Sequence, residues 1–266
     1  MKLSLSGFAI NEENEIETYK LLNKYGITHI EGVLSKISSW GSIDENVITD
    51  YKNKLNDYGL VCESLQSIFI GSNITSLNER DKARDHIERV IDFAKILGVK
   101  ILVLGSASLR KDYNFRVIAD LLWDIKFSLQ NTDITLCIEP TASYYKSEYW
   151  HSTDEIIEFL NKLRLRKNFG TMIDFHNIRT ETGDYNNINI QLNNNIDWID
   201  HVHISDIHLG SIEYVERHKE FAGTLYKNNY NGIVTYEVND RKNLEPLLEA
   251  FSNFYLHSFQ KENFQR

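Results

Sequence analysis

The sequence predicts an α/β fold, a (β/α)8 barrel that forms a single domain over residues 1–266. Eight short runs of apolar and β-branched residues alternate with longer segments of helical periodicity. This alternation requires a parallel sheet, because consecutive parallel strands need crossover connections. The chain has no linker or low-complexity stretch, and its length fits one closed barrel. An open doubly wound sheet is disfavoured, because no Gly-x-Gly-x-x-Gly motif follows the first strand.

The first half of the chain supplies four strands, which we predict at residues 2–9, 28–34, 60–69 and 100–105. The predicted helices that follow them cover residues 13–25, 43–58, 81–97 and 114–130. The helix at 81–97 has the clearest amphipathic pattern, because its apolar residues recur at helical spacing. The first three helices are each followed by a glycine at the position favoured for a left-handed cap, namely Gly26, Gly59 and Gly98.

The second half of the chain repeats the pattern. We predict strands at residues 134–139, 169–175, 200–205 and 232–238. The accompanying helices are predicted at residues 153–163, 188–195, 214–228 and 244–257, with Ser152 or Thr153 at the start of the first. In a barrel of this kind the active site lies at the carboxyl ends of the strands, where each strand leads into a loop.

The composition is that of an ordinary soluble globular protein, with 42% hydrophobic and 25% charged residues. The 38 acidic and 29 basic residues give a net charge of −9. This balance argues against nucleic acid or an anionic membrane as the main partner. The N-terminal apolar stretch is too short for a secretory signal, and no apolar run reaches the roughly 18 residues of a transmembrane helix. We therefore expect a cytoplasmic enzyme.

Four consecutive strands are predicted to end in side chains that can ligate a metal. They are Glu139, Asp174, His203 and Glu237, at or near the ends of the fifth, sixth, seventh and eighth strands. Their separations of 35, 29 and 34 residues each correspond to about one strand–helix unit, so adjacent strands present them on one rim. An ionised carboxylate at the end of a buried strand is costly unless something there uses it. The spacing therefore predicts a common site.

Three carboxylates at close range repel one another, and no lysine or arginine lies near any of the four strand ends. We therefore predict one divalent metal ion with four protein ligands: Glu139, Asp174, His203 and Glu237. This oxygen-rich set with one imidazole favours Mn²⁺ or Mg²⁺, is compatible with Co²⁺ or Zn²⁺, and leaves positions open for a substrate. His201, which strand alternation places on the same face as His203 but deeper, and His208 are alternative imidazole ligands.

These motifs resemble those of the sugar phosphate isomerase/epimerase family, the xylose-isomerase-like TIM barrels of the AP endonuclease family 2 superfamily. The resemblance covers nearly the whole chain and specifies the superfamily better than the reaction. It implies that Glu139 and Glu237 also act as acid/base groups on opposite faces of a metal-bound ene-diolate. Two carboxylates that flank a carbon can remove a proton on one side and return it on the other.

Five further residues are expected to contact the substrate: Arg110, His176, Gln66, His218 and Trp40. The first four resemble residues of the family, and Trp40, like Glu31, is expected to line the pocket. Arg110 follows a Gly-Ser loop after the fourth strand, where it could hold a phosphate or carboxylate bidentately or be a surface arginine. Gln66 could bind a sugar hydroxyl or make a structural hydrogen bond. His218 has a surface position as its alternative.

The chain departs from the family pattern at three places. His176 lies two residues after Asp174, whereas the family spacing is Asp-x-x-His. The loop after Glu139 lacks the second glutamate that ketose 3-epimerases carry six residues further on. Leu209 stands where those enzymes have an arginine. These differences argue against a ketose 3-epimerase proper.

Residues and resemblance together predict a metal-dependent isomerase or epimerase of a sugar or sugar phosphate. Its partner is a small-molecule substrate rather than nucleic acid or membrane, and a homo-oligomer is left open. The first alternative is a dehydratase of a keto-inositol-type substrate, which would use the same metal. An endonuclease IV-like DNA repair enzyme is disfavoured, because it needs more metal ligands and a basic face. A barrel without catalysis is disfavoured by the intact four-ligand set.

Overall fold

A computed structural model of the chain describes residues 1–206, 209–210, 212, 215–238 and 243–257. Eight parallel strands follow one another in chain order, and the eighth pairs with the first, so that the sheet closes. This topology confirms the predicted (β/α)8 barrel. The strands are β1 (Lys2–Ser6), β2 (His29–Gly32), β3 (Val61–Leu65), β4 (Ile101–Leu104), β5 (Thr135–Ile138), β6 (Phe169–Asp174), β7 (Ile199–Ile204) and β8 (Ile233–Tyr236).

The helices surround the sheet, and their apolar faces pack against it to form the main core. None of the described helices is long and apolar enough to cross a bilayer. The helices are α1 (Glu15–Lys24), α2 (Leu34–Ile37), α3 (Glu45–Asp57), α4 (Arg80–Leu97), α5 (Phe115–Leu129), α6 (Thr153–Lys162), α7 (Phe175–Thr182), α8 (Asn186–Asn195), α9 (Val215–Lys227) and α10 (Leu244–Ser252). The start predicted for the helix at 214–228 falls on Tyr214, which lies outside the described residues.

Two predicted strands extend too far. β1 ends at Ser6 rather than at residue 9, because the chain turns there into a short 3-10 helix, Gly7–Ala9. The Ser6 hydroxyl accepts a hydrogen bond from Phe8 N at 3.2 Å and caps that turn. β3 ends at Leu65 rather than at residue 69. Apolar residues continue beyond both strand ends, and a period-two pattern cannot show where the hydrogen-bonded ladder stops.

Two helices, α2 and α7, were not predicted from the sequence. α7 begins directly after Asp174, whose carboxylate accepts from Asn177 N at 2.7 Å and caps the helix. Its first turn is buried, from Phe175 to Ile178. The apolar residues of this turn do not recur at helical spacing, so the sequence alone does not separate the turn from β6. The helix changes the surroundings of His176, as shown below.

Five buried residues form a small apolar cluster separate from the main core: Ile101, Val103, Cys137, Met172 and Ile233. His201 pairs with Met172 and Ile233 on the neighbouring strands, and His203 lies two residues further along β7, where it pairs with Asp174. Along β6 the buried side chains therefore change from the apolar Met172 to the charged Asp174 toward the carboxyl end of the strand. This gradient places the charged groups at the face where active sites form.

At the other end of the barrel a half-buried carboxylate, Asp200, lies near the start of β7 with its Oδ2 atom inaccessible to solvent. A Cβ atom at Gly170 would lie 1.7 Å from Asp200 Oδ2, so only a glycine leaves room for this side chain. Asp200 Oδ2 has no hydrogen-bond partner among the described residues, and Arg166 Nη1 is 3.8 Å away. Burial raises the pKa of Asp200 to about 6. Its ionised form therefore reduces stability at neutral pH.

We predict that Asp200→Asn increases the free energy of unfolding by about 1–3 kcal/mol at pH 8. A carboxyl whose pKa is raised by folding loses stability as pH rises through the folded value, so the gain should shrink as pH falls from 6 toward 4. Urea unfolding at pH 5, 6, 7 and 8 measures it. Asp133→Asn, at a side chain that is 91% exposed, is the matched control. A destabilised Asp200→Asn at pH 8 would contradict the prediction.

Candidate active site

The carboxyl ends of β5 to β8 bring the four predicted ligands to one rim. Asp174 is the last residue of β6 and pairs with His203 on β7. Glu139 directly follows β5, and its N–H donates to Leu104 O at 3.1 Å. Glu237 directly follows β8, and its N–H donates to Ile204 O at 2.9 Å. Backbone hydrogen bonds thus fix both glutamates just beyond their strands.

Three carboxylates converge on one imidazole nitrogen. His203 Nδ1 lies 3.5 Å from Glu237 Oε2, 3.6 Å from Glu139 Oε1 and 3.8 Å from Asp174 Oδ2. The imidazole is 1% exposed, and its Nδ1 atom has no hydrogen-bond partner among the described residues. We call these four residues the carboxylate ring. Its geometry brings together all four residues that the sequence singled out as ligands.

The three acids of the carboxylate ring are crowded together, and His203 is the basic group that faces all of them in the described part of the chain. Among the described residues, no lysine or arginine forms an ion pair with any of the three acids. Burial, with added repulsion from Asp174, raises the pKa of Glu139 to about 7, although His203 opposes the shift. Burial and the neighbouring acids raise the pKa of Glu237 to about 8. Burial raises the pKa of Asp174, but attraction to His203 outweighs this effect and lowers the pKa below its usual value.

A divalent cation fits this ring. Glu139, Asp174 and His203 offer ligand atoms that all lie within 4.8 Å of one another, and Glu237 faces the same imidazole nitrogen. The ring carboxylates and His203 Nδ1, once it has lost its proton, are the donors that Mn²⁺ and Mg²⁺ accept. A cation would also supply the missing positive charge.

Two neighbours hold Glu139 in place. A Cβ atom at Gly105 would lie 1.9 Å from Glu139 Oε2, so this glycine leaves space for the carboxylate. Arg110 is fully buried and donates from Nη2 to Leu104 O at 2.9 Å and to Glu139 O at 2.6 Å. Its Nη1 donates to Thr141 Oγ1 at 2.9 Å. The described contacts of Arg110 therefore support the strand ends, and its contact with substrate stays a prediction.

Asn177 is a residue that the sequence did not reveal. Its N–H donates to Asp174 Oδ1 at 2.7 Å, and its side-chain Nδ2 donates to Asp174 Oδ2 at 2.9 Å. Its Oδ1 atom accepts from Ala142 N at 3.1 Å, which ties α7 to the loop after β5. Asn177 thus orients both oxygens of Asp174. An aspartate three residues before a polar residue is a helix N-cap pattern, and that signal could have found it.

His176 lies beside the ring, at the start of α7. It is buried, and its Nε2 atom is hydrogen-bonded with the Tyr145 hydroxyl at 2.5 Å. Tyr145 is the sixth residue after Glu139, at the position where the sequence lacked the expected second glutamate. The chain therefore has a phenol at the position where the sequence lacks the glutamate of the ketose 3-epimerases. This phenol contacts His176, whose spacing from Asp174 is one residue shorter than the family pattern. Substrate contact by His176 stays a prediction.

The other predicted substrate contacts lie in packed surroundings. The Gln66 amide donates to the Ser6 hydroxyl. Trp40 is half-buried, and its Nε1 atom donates to Ile70 O at 2.7 Å. His218 is fully buried, stacks on Phe175 with ring centroids 4.3 Å apart, and has Nδ1 hydrogen-bonded to Tyr255 at 3.0 Å. The structure thus describes internal contacts for these residues. Their roles toward a substrate are untested predictions.

Glu31, which is expected to line the pocket, contacts the Nε2 atom of His203, the nitrogen that does not face the three ring acids. It is fully buried on β2. Its Oε1 atom is 2.9 Å from His201 Nε2, and its Oε2 atom is 2.8 Å from His203 Nε2. His201 is therefore engaged below the ring, while His208, the other alternative ligand, lies outside the described residues.

Comparison with known proteins agrees with this architecture. Residues 19–255 match the family model of the xylose isomerase-like TIM barrel. The structure is similar to apo 3-keto-D-glucoside 4-epimerase YcjR from E. coli, with a TM-score of 0.74 and 18% identity over 97% of this chain and 99% of the other. It is also similar to D-psicose 3-epimerase from Clostridium cellulolyticum H10, with a TM-score of 0.72 and 13% identity over 99% of both chains.

A third similar structure is described as an AP endonuclease, family 2, from Brucella melitensis. Its TM-score is 0.72, with 16% identity over 96% of this chain and 99% of the other. No curated protein sequence matches the chain. At these identities the structural similarities establish the fold and leave the reaction to be argued from the site.

We predict that Gly105→Ala weakens Mn²⁺ binding at least about tenfold, because the new Cβ displaces the Glu139 carboxylate from the ring. Isothermal titration calorimetry on chelator-treated protein measures this. Gly223→Ala is the matched control, since a Cβ there meets no atom within 4 Å. Circular dichroism should show that both variants fold. Equal Mn²⁺ affinity in Gly105→Ala and the unaltered chain would contradict the prediction.

Proposed function

Because the chain belongs to the xylose isomerase-like TIM barrel family, we propose that it is a metal-dependent isomerase or epimerase of a sugar or sugar phosphate. The reaction removes a proton from a carbon next to a carbonyl group and returns a proton to the same carbon or to its neighbour. Glu139, Asp174, His203 and Glu237 would hold one divalent metal ion, with Mn²⁺ or Mg²⁺ favoured and Co²⁺ or Zn²⁺ compatible.

One observation carries this proposal. Three carboxylates surround a buried imidazole nitrogen that has no hydrogen-bond partner, and no lysine or arginine among the described residues forms an ion pair with them. Such a group is costly unless a cation completes it. When bound, the cation would polarise a carbonyl or hydroxyl oxygen of the substrate and so make the neighbouring C–H group more acidic.

The ring residues differ in access to solvent, which supports different roles. The side chains of Asp174 and His203 are each 1% exposed, whereas those of Glu139 and Glu237 are 15% and 11% exposed. The two glutamates follow β5 and β8, on either side of the other two ligands. Glu139 and Glu237 are therefore the acids that can approach a substrate from two directions.

We assign acid/base roles to these two glutamates. A carboxylate that faces the substrate carbon removes its proton, and the carboxyl group on the other side donates one. In an epimerase the two groups act on opposite faces of one carbon, so that the configuration there is inverted. Burial raises their pKa values to about 7 and about 8, which supports this assignment because such groups exchange protons near neutral pH.

Two alternatives would use the same barrel. A dehydratase of a keto-inositol-type substrate would begin with the same proton removal, and its product would be lighter by one water. An endonuclease-like activity is suggested only by the fold shared with the Brucella protein. The net charge of −9 opposes binding to DNA, because a nucleic-acid site needs basic residues along the phosphates.

We predict that Glu139→Gln and Glu237→Gln each reduce turnover by about 10²–10⁴-fold, because an amide cannot take up the proton. D-fructose, D-tagatose, D-psicose and a 3-keto-D-glucoside are the probe substrates. Proton NMR in D₂O detects exchange of the carbon-bound hydrogen even where no net conversion occurs, and mass spectrometry detects loss of water.

The control for these variants is Glu158→Gln, at a side chain that is 67% exposed and pairs with Lys162. It removes the same charge from the surface and should keep full activity. Full exchange activity in both ring variants, or in protein stripped of metal, would overturn the proposal.

We also predict that the Mn²⁺ affinity of the chain increases as pH rises from 6 to 8. Below their pKa values of about 7 and about 8, Glu139 and Glu237 hold protons that a metal must displace. The affinity should rise by about tenfold per pH unit for each proton displaced. Calorimetry in buffers with different ionisation enthalpies counts the protons released. Affinity that stays constant from pH 6 to 8 would contradict the prediction.

A further inference from the structure

Glu31 joins two histidines in the barrel interior. Its two carboxylate oxygens face His201 Nε2 at 2.9 Å and His203 Nε2 at 2.8 Å. All three side chains are at most 1% exposed. We propose that Glu31 is a positioning residue that holds His203 with its Nδ1 atom toward the carboxylate ring and thereby sets the metal affinity. This inference rests on the proposed function.

The first step concerns the hydrogen on His203. An ionised carboxylate only accepts hydrogen bonds, so the 2.8 Å contact with Glu31 places the hydrogen on Nε2. In the neutral imidazole the lone pair is then on Nδ1. Nδ1 is the atom that lies 3.5–3.8 Å from the three ring carboxylates. Glu31 therefore selects the tautomer that a metal ligand needs.

The second step concerns the orientation of Glu31 itself. A carboxylate with one partner can rotate about its last bond, but Glu31 has one imidazole on each oxygen. His201 and His203 are two residues apart on β7, so both rings lean from the same strand toward β2. This bridge across the barrel fixes the plane of the Glu31 carboxylate. Through it, the plane of the His203 ring is fixed as well.

The third step distinguishes a positioning role for Glu31 from a second metal site at the same residues. Glu31, His201 and His203 also offer ligand atoms within 4.8 Å of one another. At 2.8 Å, however, the carboxylate accepts a hydrogen bond from His203 Nε2, so this nitrogen has no free lone pair for a metal. Without it, only Glu31 and His201 remain as donors at this position, too few for a second metal site. Carboxylates that hydrogen-bond the remote nitrogen of a ligating histidine typically alter metal affinity by about 10–100-fold when removed. One metal per chain follows.

The test compares metal binding by Glu31 variants of the full chain. Chelator-treated protein is titrated with MnCl₂ by calorimetry, and the Co²⁺ complex is examined by visible absorption, which reports ligand geometry. We expect one Mn²⁺ per chain, with about 10–100-fold weaker binding and an altered Co²⁺ spectrum in Glu31→Gln. Glu63→Gln is the control. Glu63 also faces a histidine, because its Oε2 atom lies 3.4 Å from His29 Nε2, but it contacts no residue of the carboxylate ring.

The outcomes separate this inference from the proposed function. If the unaltered chain binds no divalent metal, the proposed function fails. If it binds one metal and Glu31→Gln binds as tightly with the same Co²⁺ spectrum, the positioning role alone is wrong. Two Mn²⁺ per chain would also overturn it. Should Glu31→Gln fail to fold by circular dichroism, Glu31→Asp decides, because its charge is kept while the shorter side chain cannot bridge both imidazoles.

Discussion

Buried negative charge at the carboxyl ends of the strands is the constraint on which the site depends. Glu139, Asp174 and Glu237 converge on His203 because barrel closure places β5 to β8 side by side. Buried acids at such distances need protons or a cation. In the metal-free chain, the raised pKa values of Glu139 and Glu237 correspond to the first case, in which the acids hold protons. A cation that replaces those protons would leave the same groups as bases.

The parts of the site that could be predicted from the sequence are those that the barrel imposes. Parallel strands joined by helices place all their carboxyl ends on one face, so position along a strand specifies position in space. For that reason Asp174 and His203 could be assigned to one rim although 29 residues separate them. The eight strands could be predicted on the same grounds, since each carries a dense apolar pattern that repeats at the length of one strand–helix unit.

The supporting residues could not be predicted, because their partners are set by loops and by packing across the barrel. From its place after a Gly-Ser loop, Arg110 was expected to hold a phosphate or carboxylate, yet its guanidinium donates to the backbone oxygens of Leu104 and Glu139. Glu31 contacts His203 across 172 positions of sequence, a pairing that no local pattern encodes. Strand ends such as Ser6 were also misplaced, because hydrogen-bonded turns interrupt strands whose apolar pattern continues.

The supports differ between the residues of the ring. Asp174 receives two hydrogen bonds from Asn177, and His203 is hydrogen-bonded with Glu31, so the side chains of Asp174 and His203 are fixed as well as buried. Glu139 is confined mainly by the space that Gly105 leaves beside its carboxylate. A group that must gain and lose a proton needs access to the substrate and freedom from strong internal hydrogen bonds. The fixed pair therefore suits metal binding, and the more exposed glutamates suit proton transfer.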